Sequence, residues 1–127
     1  MVRPHVLVVE DNAKNLKLVK DVLEFAGLDV SEAASGEEGV DLARRLQPDL
    51  VLLDLQLPGI DGMEALRQIR ADPVTSTLPV VAVTAFAMKS DRHRTLVAGF
   101  DGYIAKPISV RDFPDQVRSF LPQKSVP

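Results

Sequence analysis

The chain has 127 residues, of which 46% are hydrophobic, and this predicts one globular domain with a single core and no room for a second. A net charge of -3 with interspersed signs argues against general attraction to nucleic acid or anionic lipid. There is no cysteine for disulfides or thiolate metal sites, no signal-peptide pattern and no apolar run long enough to span a membrane, so we expect a soluble cytoplasmic protein.

The N-terminal part of the chain predicts a strand followed by a helix. His5 to Val9 is an apolar run that ends in the polar group Glu10-Asp11-Asn12. From Ala13 to Ala26 the apolar residues recur at helical spacing, and Gly27 is suited to end that helix in the left-handed conformation. The residues that we expect on its buried side are Leu16, Leu18, Val19, Val22, Leu23, Phe25 and Ala26.

A second strand and a second helix follow. Leu28 to Ala34 alternates weakly between the two faces, as is typical of an edge strand. Ser35 and Glu38 have the spacing of a capping box, in which both side chains bind free amides at the start of a helix. Pro48 is expected to end this second helix.

The third predicted strand, Leu50 to Leu53, runs directly into the carboxylate of Asp54. Four large apolar residues in succession indicate a strand buried on both faces, and Pro58-Gly59 then turns the chain. A carboxylate at the end of such a strand is costly unless cations or hydrogen-bond donors surround it. Asp54 therefore predicts that other polar groups converge on the same edge.

The C-terminal half supplies those groups. Asp61 to Glu64 has the spacing of a second capping box, and the helix that it starts should end before Asp72-Pro73. Pro79 to Val83 predicts a fourth buried strand, which ends in the hydroxyl of Thr84.

Two more elements complete the chain. A short polar helix from Asp91 to Ala98 precedes a fifth strand, Tyr103 to Ala105, which ends in the cation Lys106. Ser109 is expected to cap a last helix, although Pro114 lies just past the positions where a proline costs nothing. The residues expected to face inward from this helix are Val110, Phe113, Val117, Phe120 and Leu121.

Five strands that alternate with five helices predict a three-layer α/β/α sandwich with a parallel sheet and right-handed crossovers. In such sheets, ligands bind outside the carboxyl ends of the strands. The polar residues that follow the predicted strands at this edge are Glu10, Asp11, Asp54, Thr84 and Lys106.

These residues favour phosphoryl chemistry assisted by a metal. Three neighbouring carboxylates repel one another, and a hard divalent cation that prefers oxygen ligands, such as Mg²⁺, relieves the repulsion. With the charge neutralised by the metal and Lys106, Asp54 can attack a phosphoryl group and carry it as an acyl phosphate. Lys106, the Thr84 hydroxyl and the metal then hold the phosphoryl oxygens.

From about Val6 to Leu121, the sequence resembles the receiver domain of two-component response regulators. The motifs that carry the resemblance are Glu10-Asp11, Asp54, Thr84-Ala85 and Lys106-Pro107, with Tyr103 three residues before the lysine. The resemblance implies one receiver domain over 1–127, with a core at about 5–121, a polar tail at 122–127 and a flavodoxin-like sheet in the order 2-1-3-4-5.

The same resemblance implies a role for each site residue. Asp54 would be the phosphoacceptor, and Asp11 would bind Mg²⁺ directly, with Mn²⁺ as a substitute. Glu10 would act on the metal largely through water; many receivers have an aspartate there, and the longer arm of the glutamate should still serve the metal in this way. The remaining roles are a metal-binding backbone carbonyl at Gln56, phosphoryl contacts from Thr84 and Lys106, and an aromatic switch at Tyr103.

The resemblance also implies a place in signalling. A histidine kinase or a histidine phosphotransfer protein would donate the phosphoryl group, and the chain would catalyse only its own phosphorylation and dephosphorylation. Several short sequence motifs are most similar to those of the small stand-alone regulators of the DivK type, which act in cell-cycle and polarity phosphorelays. With no DNA-binding output domain, such a chain signals by binding a downstream protein, and the apolar residues Phe86 and Met88 are candidates for that partner surface.

Other interpretations stay open at this point. The same motifs occur in receivers that are part of hybrid kinases or longer regulators. A phosphatase of the haloacid-dehalogenase type also uses a strand-end aspartate and Mg²⁺, but its second acid would stand at Gln56, which has no proton to give to a leaving group. The basic residues around His93 are interpreted as a solvated helix face and not as a nucleic-acid site.

Overall fold

A computed structural model describes residues 3–85 and 89–122, with side chains described in 3–85 and 93–122. Strands and helices alternate along these residues, and the strands form one parallel sheet in the order β2-β1-β3-β4-β5, as predicted. The elements are β1 (His5–Val9), α1 (Ala13–Phe25), β2 (Asp29–Ala33), α2 (Gly36–Leu46), β3 (Leu50–Leu53), α3 (Gly62–Ala71), β4 (Val80–Thr84), α4 (Lys89–Ala98), β5 (Gly102–Ala105) and α5 (Phe113–Phe120).

The core consists of two apolar layers, one on each face of the sheet. Successive side chains of a strand point to opposite faces, so β1, β3 and β4 contribute to both layers. One layer packs under α1 and α5 and includes Val6, Val8, Leu50, Leu52, Val81, Val83, Leu23 and Phe113. The other packs under α2 and α3 and includes Leu7, Val9, Val51, Leu53, Val80, Ala82, Leu66 and Ile69.

The two side chains predicted to cap α2 both bind amides at its start. The Glu38 N–H donates to Ser35 Oγ at 3.1 Å, and Glu38 Oε1 accepts at 2.6 Å the N–H of Ala34, the residue before the N-cap, so the capping box differs slightly from the predicted one. The second box is only half formed, because Asp61 accepts the Glu64 N–H at 2.9 Å while the Glu64 carboxylate binds side chains of its own helix. Both helices therefore begin where the sequence predicts.

The buried side of α1 is narrower than predicted. Val19 and Leu23 are buried, but Leu18 is 42% exposed and Phe25 is 96% exposed. At 3.6 residues per turn, Phe25 lies about 160° around the helix axis from Leu23, so the two cannot face the same layer. The prediction that Leu18 and Phe25 are buried was wrong because it assigned to the buried side apolar residues that lie on other faces of the helix.

The last helix also begins later than predicted. Ser109 does not cap it: its hydroxyl accepts the Asp112 N–H at 3.3 Å in the preceding turn, and α5 starts at Phe113. Pro114 then lies in the first helical turn, where a missing N–H costs little. The proline is therefore compatible with a regular last helix. Val110, predicted to face inward, precedes the helix and is 56% exposed.

Candidate functional site

The register of the sheet places two acids side by side. Val9 and Leu53 are partners at the ends of β1 and β3, and the Asp54 N–H donates to the Val9 carbonyl at 3.1 Å. Glu10 and Asp54, the next residues of the two strands, are both buried, whereas Asp11 is exposed. The three side chains each present a carboxylate oxygen, and these oxygens lie within 4.8 Å of one another. The carboxylates predicted to converge do so.

Lys106 connects this cluster to the strands β4 and β5. The residue follows β5, and its N–H donates to the Thr84 carbonyl at 2.8 Å, which fixes its backbone beside the end of β4. Its ammonium group lies 2.8 Å from Asp54 Oδ2 and 2.5 Å from Glu10 Oε1. The lysine side chain is 19% exposed, and those of Glu10 and Asp54 are 5% and 9% exposed, so solvent screens these ion pairs little.

The electrostatics of the cluster are unbalanced. Burial raises the pKa of Glu10, although hydrogen bonds from Lys106 and from the Asn12 N–H oppose the rise, and the neighbouring Asp54 charge adds to it. Burial would lower the pKa of Lys106, but its hydrogen bonds to Asp54 and Glu10 and their charges outweigh it and raise that pKa. When ionised, three carboxylates face one lysine and leave an excess of two negative charges.

This donor set fits a hard divalent cation. It consists of carboxylate oxygens, with no sulfur or imidazole, and its excess charge equals that of Mg²⁺ with opposite sign. His5, one of the two histidines, lies at the start of β1, at the other end of the sheet, where its ring contacts Ser31 Oγ at 2.6 Å. Glu10, Asp11 and Asp54 are thus the described residues that can hold such an ion.

The loop that follows β3 is folded back onto the cluster. The Gln56 N–H donates to Asp54 Oδ1 at 2.9 Å, while the Gln56 side chain is exposed. The Gly62 N–H donates to the Leu55 carbonyl at 3.1 Å, and a Cβ on Gly62 would lie only 2.5 Å from the Asp54 carbonyl oxygen. Residues 55–61 therefore form a compact turn that begins at Asp54 and ends at α3.

The other residues singled out from the sequence lie on β4 and β5 or outside the described residues. Thr84 is the last residue of β4 and is fully buried. Tyr103, which pairs with Ala82 across β4 and β5, is half-buried, packs against the layer under α2 and α3, and has a buried hydroxyl. Phe86 and Met88, the predicted partner surface, lie outside the described residues.

Asn12 is a local feature that the sequence interpretation missed. Its side-chain oxygen accepts the N–H groups of Lys14 and Asn15 at 3.0 and 3.1 Å and so caps α1. Its own N–H donates to Glu10 Oε2 at 3.2 Å. The signal was available, since asparagine directly before a helical pattern is a preferred N-cap, but it was grouped there with the acids.

The comparisons with known proteins agree with the fold. Residues 6–118 match the response regulator receiver domain family. The polar-differentiation response regulator DivK of Brucella ovis is 45% identical over 116 residues, which cover 91% of this chain and 94% of that protein.

Two solved structures are similar over nearly the whole chain. The receiver domain of a sensor histidine kinase from Pseudomonas aeruginosa, with a magnesium ion coordinated in its active-site cleft, is 34% identical, covers 94% of this chain and 98% of its own, and has a TM-score of 0.85. Chemotaxis response regulator CheY4 of Vibrio cholerae, at 22% identity, covers 94% of this chain and 100% of its own with a TM-score of 0.89, and supports the fold alone. This chain belongs to the response regulator receiver domain family, the signalling modules of two-component systems.

Proposed function

We propose that this receiver is a cytoplasmic phosphorelay regulator that accepts a phosphoryl group from a phosphohistidine onto Asp54. The observation that carries the proposal is the cluster at the ends of β1, β3 and β5, where Lys106 bridges the carboxylates of Glu10 and Asp54 at 2.5 and 2.8 Å. The lysine neutralises part of the charge that an incoming phosphoryl group would otherwise meet. The similarity to DivK supports a role of the same kind, in a cell-cycle or polarity phosphorelay.

The transfer itself exchanges one phosphorus bond for another. An Asp54 carboxylate oxygen attacks phosphorus and forms a P–O bond while the P–N bond to the donor imidazole breaks. The imidazole takes the electron pair of that bond and leaves as a neutral ring, because its other nitrogen already carries a proton. No acid from this chain has to protonate the leaving group, which agrees with Gln56 at the position where a haloacid-dehalogenase phosphatase would carry its second acid. Lys106 and the Thr84 hydroxyl are the proposed contacts of the phosphoryl oxygens.

Glu10, Asp11, Asp54 and the backbone carbonyl of Gln56 are the groups proposed to hold Mg²⁺ or Mn²⁺. The cluster of three carboxylates supports this assignment, as does the magnesium ion in the related kinase receiver. When bound, the metal supplies positive charge to the transferring phosphoryl group. Asp54, Lys106 and Thr84 position that group.

Removal of the metal tests the function as a whole. Wild-type protein mixed with Mg²⁺ and either acetyl phosphate or a phosphorylated histidine kinase is expected to gain one phosphoryl group, and excess EDTA should prevent this. Asp11→Ala should weaken Mg²⁺ binding about tenfold or more, because loss of outer-shell partners alone often costs that much. Intact mass and calorimetric titration measure the two effects. Full labelling in EDTA would show that the reaction does not need the metal, and an unchanged titration in Asp11→Ala would show that the metal site is misplaced.

The signal is proposed to leave the molecule through protein binding. Phosphorylation changes binding only if a partner contacts the two states differently. Where the side chains of α4 are described, Leu96 and Val97 are 53% and 72% exposed, which supports an apolar partner surface on this helix. Phe86 and Met88 stay predicted contacts of the same partner. Tyr103 already lies against the core, so it would act by favouring the state in which its ring is inward.

Tyr103→Ala tests this relay. The variant should accept phosphate at Asp54 at the wild-type level, because Tyr103 is not among the residues that surround the carboxylates. Its phosphorylation-dependent binding to the downstream partner should be lost, since a methyl group cannot fill the space of the ring. Binding of the phosphorylated variant as tight as that of the phosphorylated wild type would leave only direct recognition of the phosphorylated edge.

A receiver module of a hybrid kinase is the second candidate. The likeness to the receiver of a sensor histidine kinase, at 34% identity, favours it. The greater identity to DivK, at 45%, favours a regulator that acts by itself.

A further inference from the structure

The turn after the phosphorylation site is supported from outside by the first turn of α2. This turn, residues 55–61, carries Gln56, and its two ends are fixed by the Asp54 carboxylate and by α3. At its far side the Ile60 N–H donates to Glu37 Oε1 at 3.4 Å. The Glu37 carboxylate also lies against Gly59, where an added Cβ would meet its oxygens at 2.5 and 2.7 Å.

The residue before Glu37 makes a second contact with the same turn. Gly36 is buried, and a Cβ placed on it would lie 2.6 Å from Ile60 Cγ1 and 2.7 Å from the Ile60 carbonyl oxygen. The absence of a side chain therefore allows the helix to approach the backbone of the turn. Gly59 has a φ of +73°, a conformation that glycine adopts without strain, and this presents its Cα to the Glu37 carboxylate.

We infer that Glu37 is a positioning residue for the phosphorylation site: it holds the turn of residues 55–61 in the shape in which Gln56 serves the metal. The inference rests on the proposed function and names a residue outside the predicted ligands. Glu37 is exposed, and its described contacts are with the turn and not with the carboxylates of Glu10, Asp11 and Asp54 or with Lys106. It therefore acts on the site only through the turn. If the turn visits other shapes, the measured metal affinity falls in proportion to the fraction of molecules that remain competent, because only these bind the metal.

The neighbouring Glu38 provides a matched control. It lies in the same first turn of α2 and carries the same charge, but its carboxylate accepts the Ala34 N–H at 2.6 Å and completes the capping box. Replacement of Glu38 removes one negative charge and also weakens the start of α2. If Glu37 served only through charge or helix stability, Glu38→Ala would have at least as large an effect on the metal.

The experiment is a calorimetric Mg²⁺ titration of the full chain in four forms. Glu37→Ala is expected to bind Mg²⁺ about threefold to tenfold more weakly than wild type, the range that corresponds to loss of one hydrogen bond. Glu37→Gln keeps the acceptor oxygen and should stay within about twofold of wild type, since the lost charge is exposed and screened. Glu38→Ala should also stay within about twofold.

Amide exchange in the metal-free protein gives a second measurement. Exchange of the Ile60 N–H should become faster in Glu37→Ala and should not change in Glu37→Gln. Equal Mg²⁺ affinity in wild type and Glu37→Ala, or an equal loss in Glu38→Ala, would overturn the role of Glu37 while the phosphorylation site stands. Failure of the wild type itself to bind Mg²⁺ would instead overturn the proposed function, and the inference with it.

Discussion

Asp54→Asn is expected to take up no phosphoryl group from acetyl phosphate and Mg²⁺, under conditions in which the wild type gains one. An amide oxygen is neutral and a poor nucleophile, and Asp54 is the strand-end carboxylate that both Lys106 and the turn of residues 55–61 contact directly. Intact mass after a fixed incubation measures the uptake. The effect should be complete, because neither Glu10 nor Asp11 stands in the predicted acceptor position.

The asparagine variant should keep its fold, which makes this test clean. Its side-chain oxygen can still accept the Gln56 N–H, which in the wild type lies 2.9 Å from Asp54 Oδ1, and removal of one of three neighbouring negative charges relieves repulsion. The amide nitrogen, however, replaces Oδ2, which accepts from Lys106 at 2.8 Å, so one ion pair is lost. Because the two effects oppose each other, thermal melting without metal should show a folded variant with a stability close to that of wild type. Asp41→Asn is the control, since Asp41 is an exposed acid of α2 that pairs with Arg45, and this variant should be labelled like the wild type. Equal labelling of Asp54→Asn would remove Asp54 from the mechanism.

The strands could be predicted because a sheet buried on both faces leaves a simple pattern. Runs such as Val6 to Val9 and Leu50 to Leu53 are continuously apolar, since successive side chains enter different layers of the core. The helices were predicted less well where the pattern has to select a face. Phe25 is apolar and lies within a helix, but nothing local in the sequence says that the sheet is on the other side of that helix.

The site could be predicted in outline because parallel strands end at a common edge. The sequence analysis assigned four charged residues to that edge because each stands at or just after the end of a predicted strand: Glu10, Asp11, Asp54 and Lys106. The bridge that Lys106 makes to Glu10 as well as to Asp54 was not predicted, because it depends on how far the lysine side chain extends past the end of β4. Contacts such as that of Glu37 with Ile60 depend on the packing of the first turn of α2 against the turn of residues 55–61 and leave no motif in the sequence.

Lys106→Met is expected to separate two roles that the cluster combines. In this structure the Lys106 ammonium group forms ion pairs with Glu10 and Asp54, so a metal ion has to share these carboxylates with the lysine. Without the lysine, Mg²⁺ affinity should be at least as high as in wild type. Phosphoryl uptake from acetyl phosphate should nevertheless fall about a hundredfold or more, as is common when one charged group that stabilises a transferring anion is removed.

The stability of Lys106→Met gives an independent check of the same argument. Without metal the variant should unfold more easily by about 1–3 kcal/mol, because two buried carboxylates lose their charged hydrogen-bond donor. Saturating Mg²⁺ should therefore raise the melting temperature of the variant more than that of the wild type. Lys17→Met makes the same chemical change at a lysine that is 78% exposed and pairs with Asp21, and it should leave uptake, affinity and stability almost unchanged. Weaker Mg²⁺ binding together with normal uptake in Lys106→Met would mean that the lysine organises the carboxylates for the metal and does not act on the phosphoryl group.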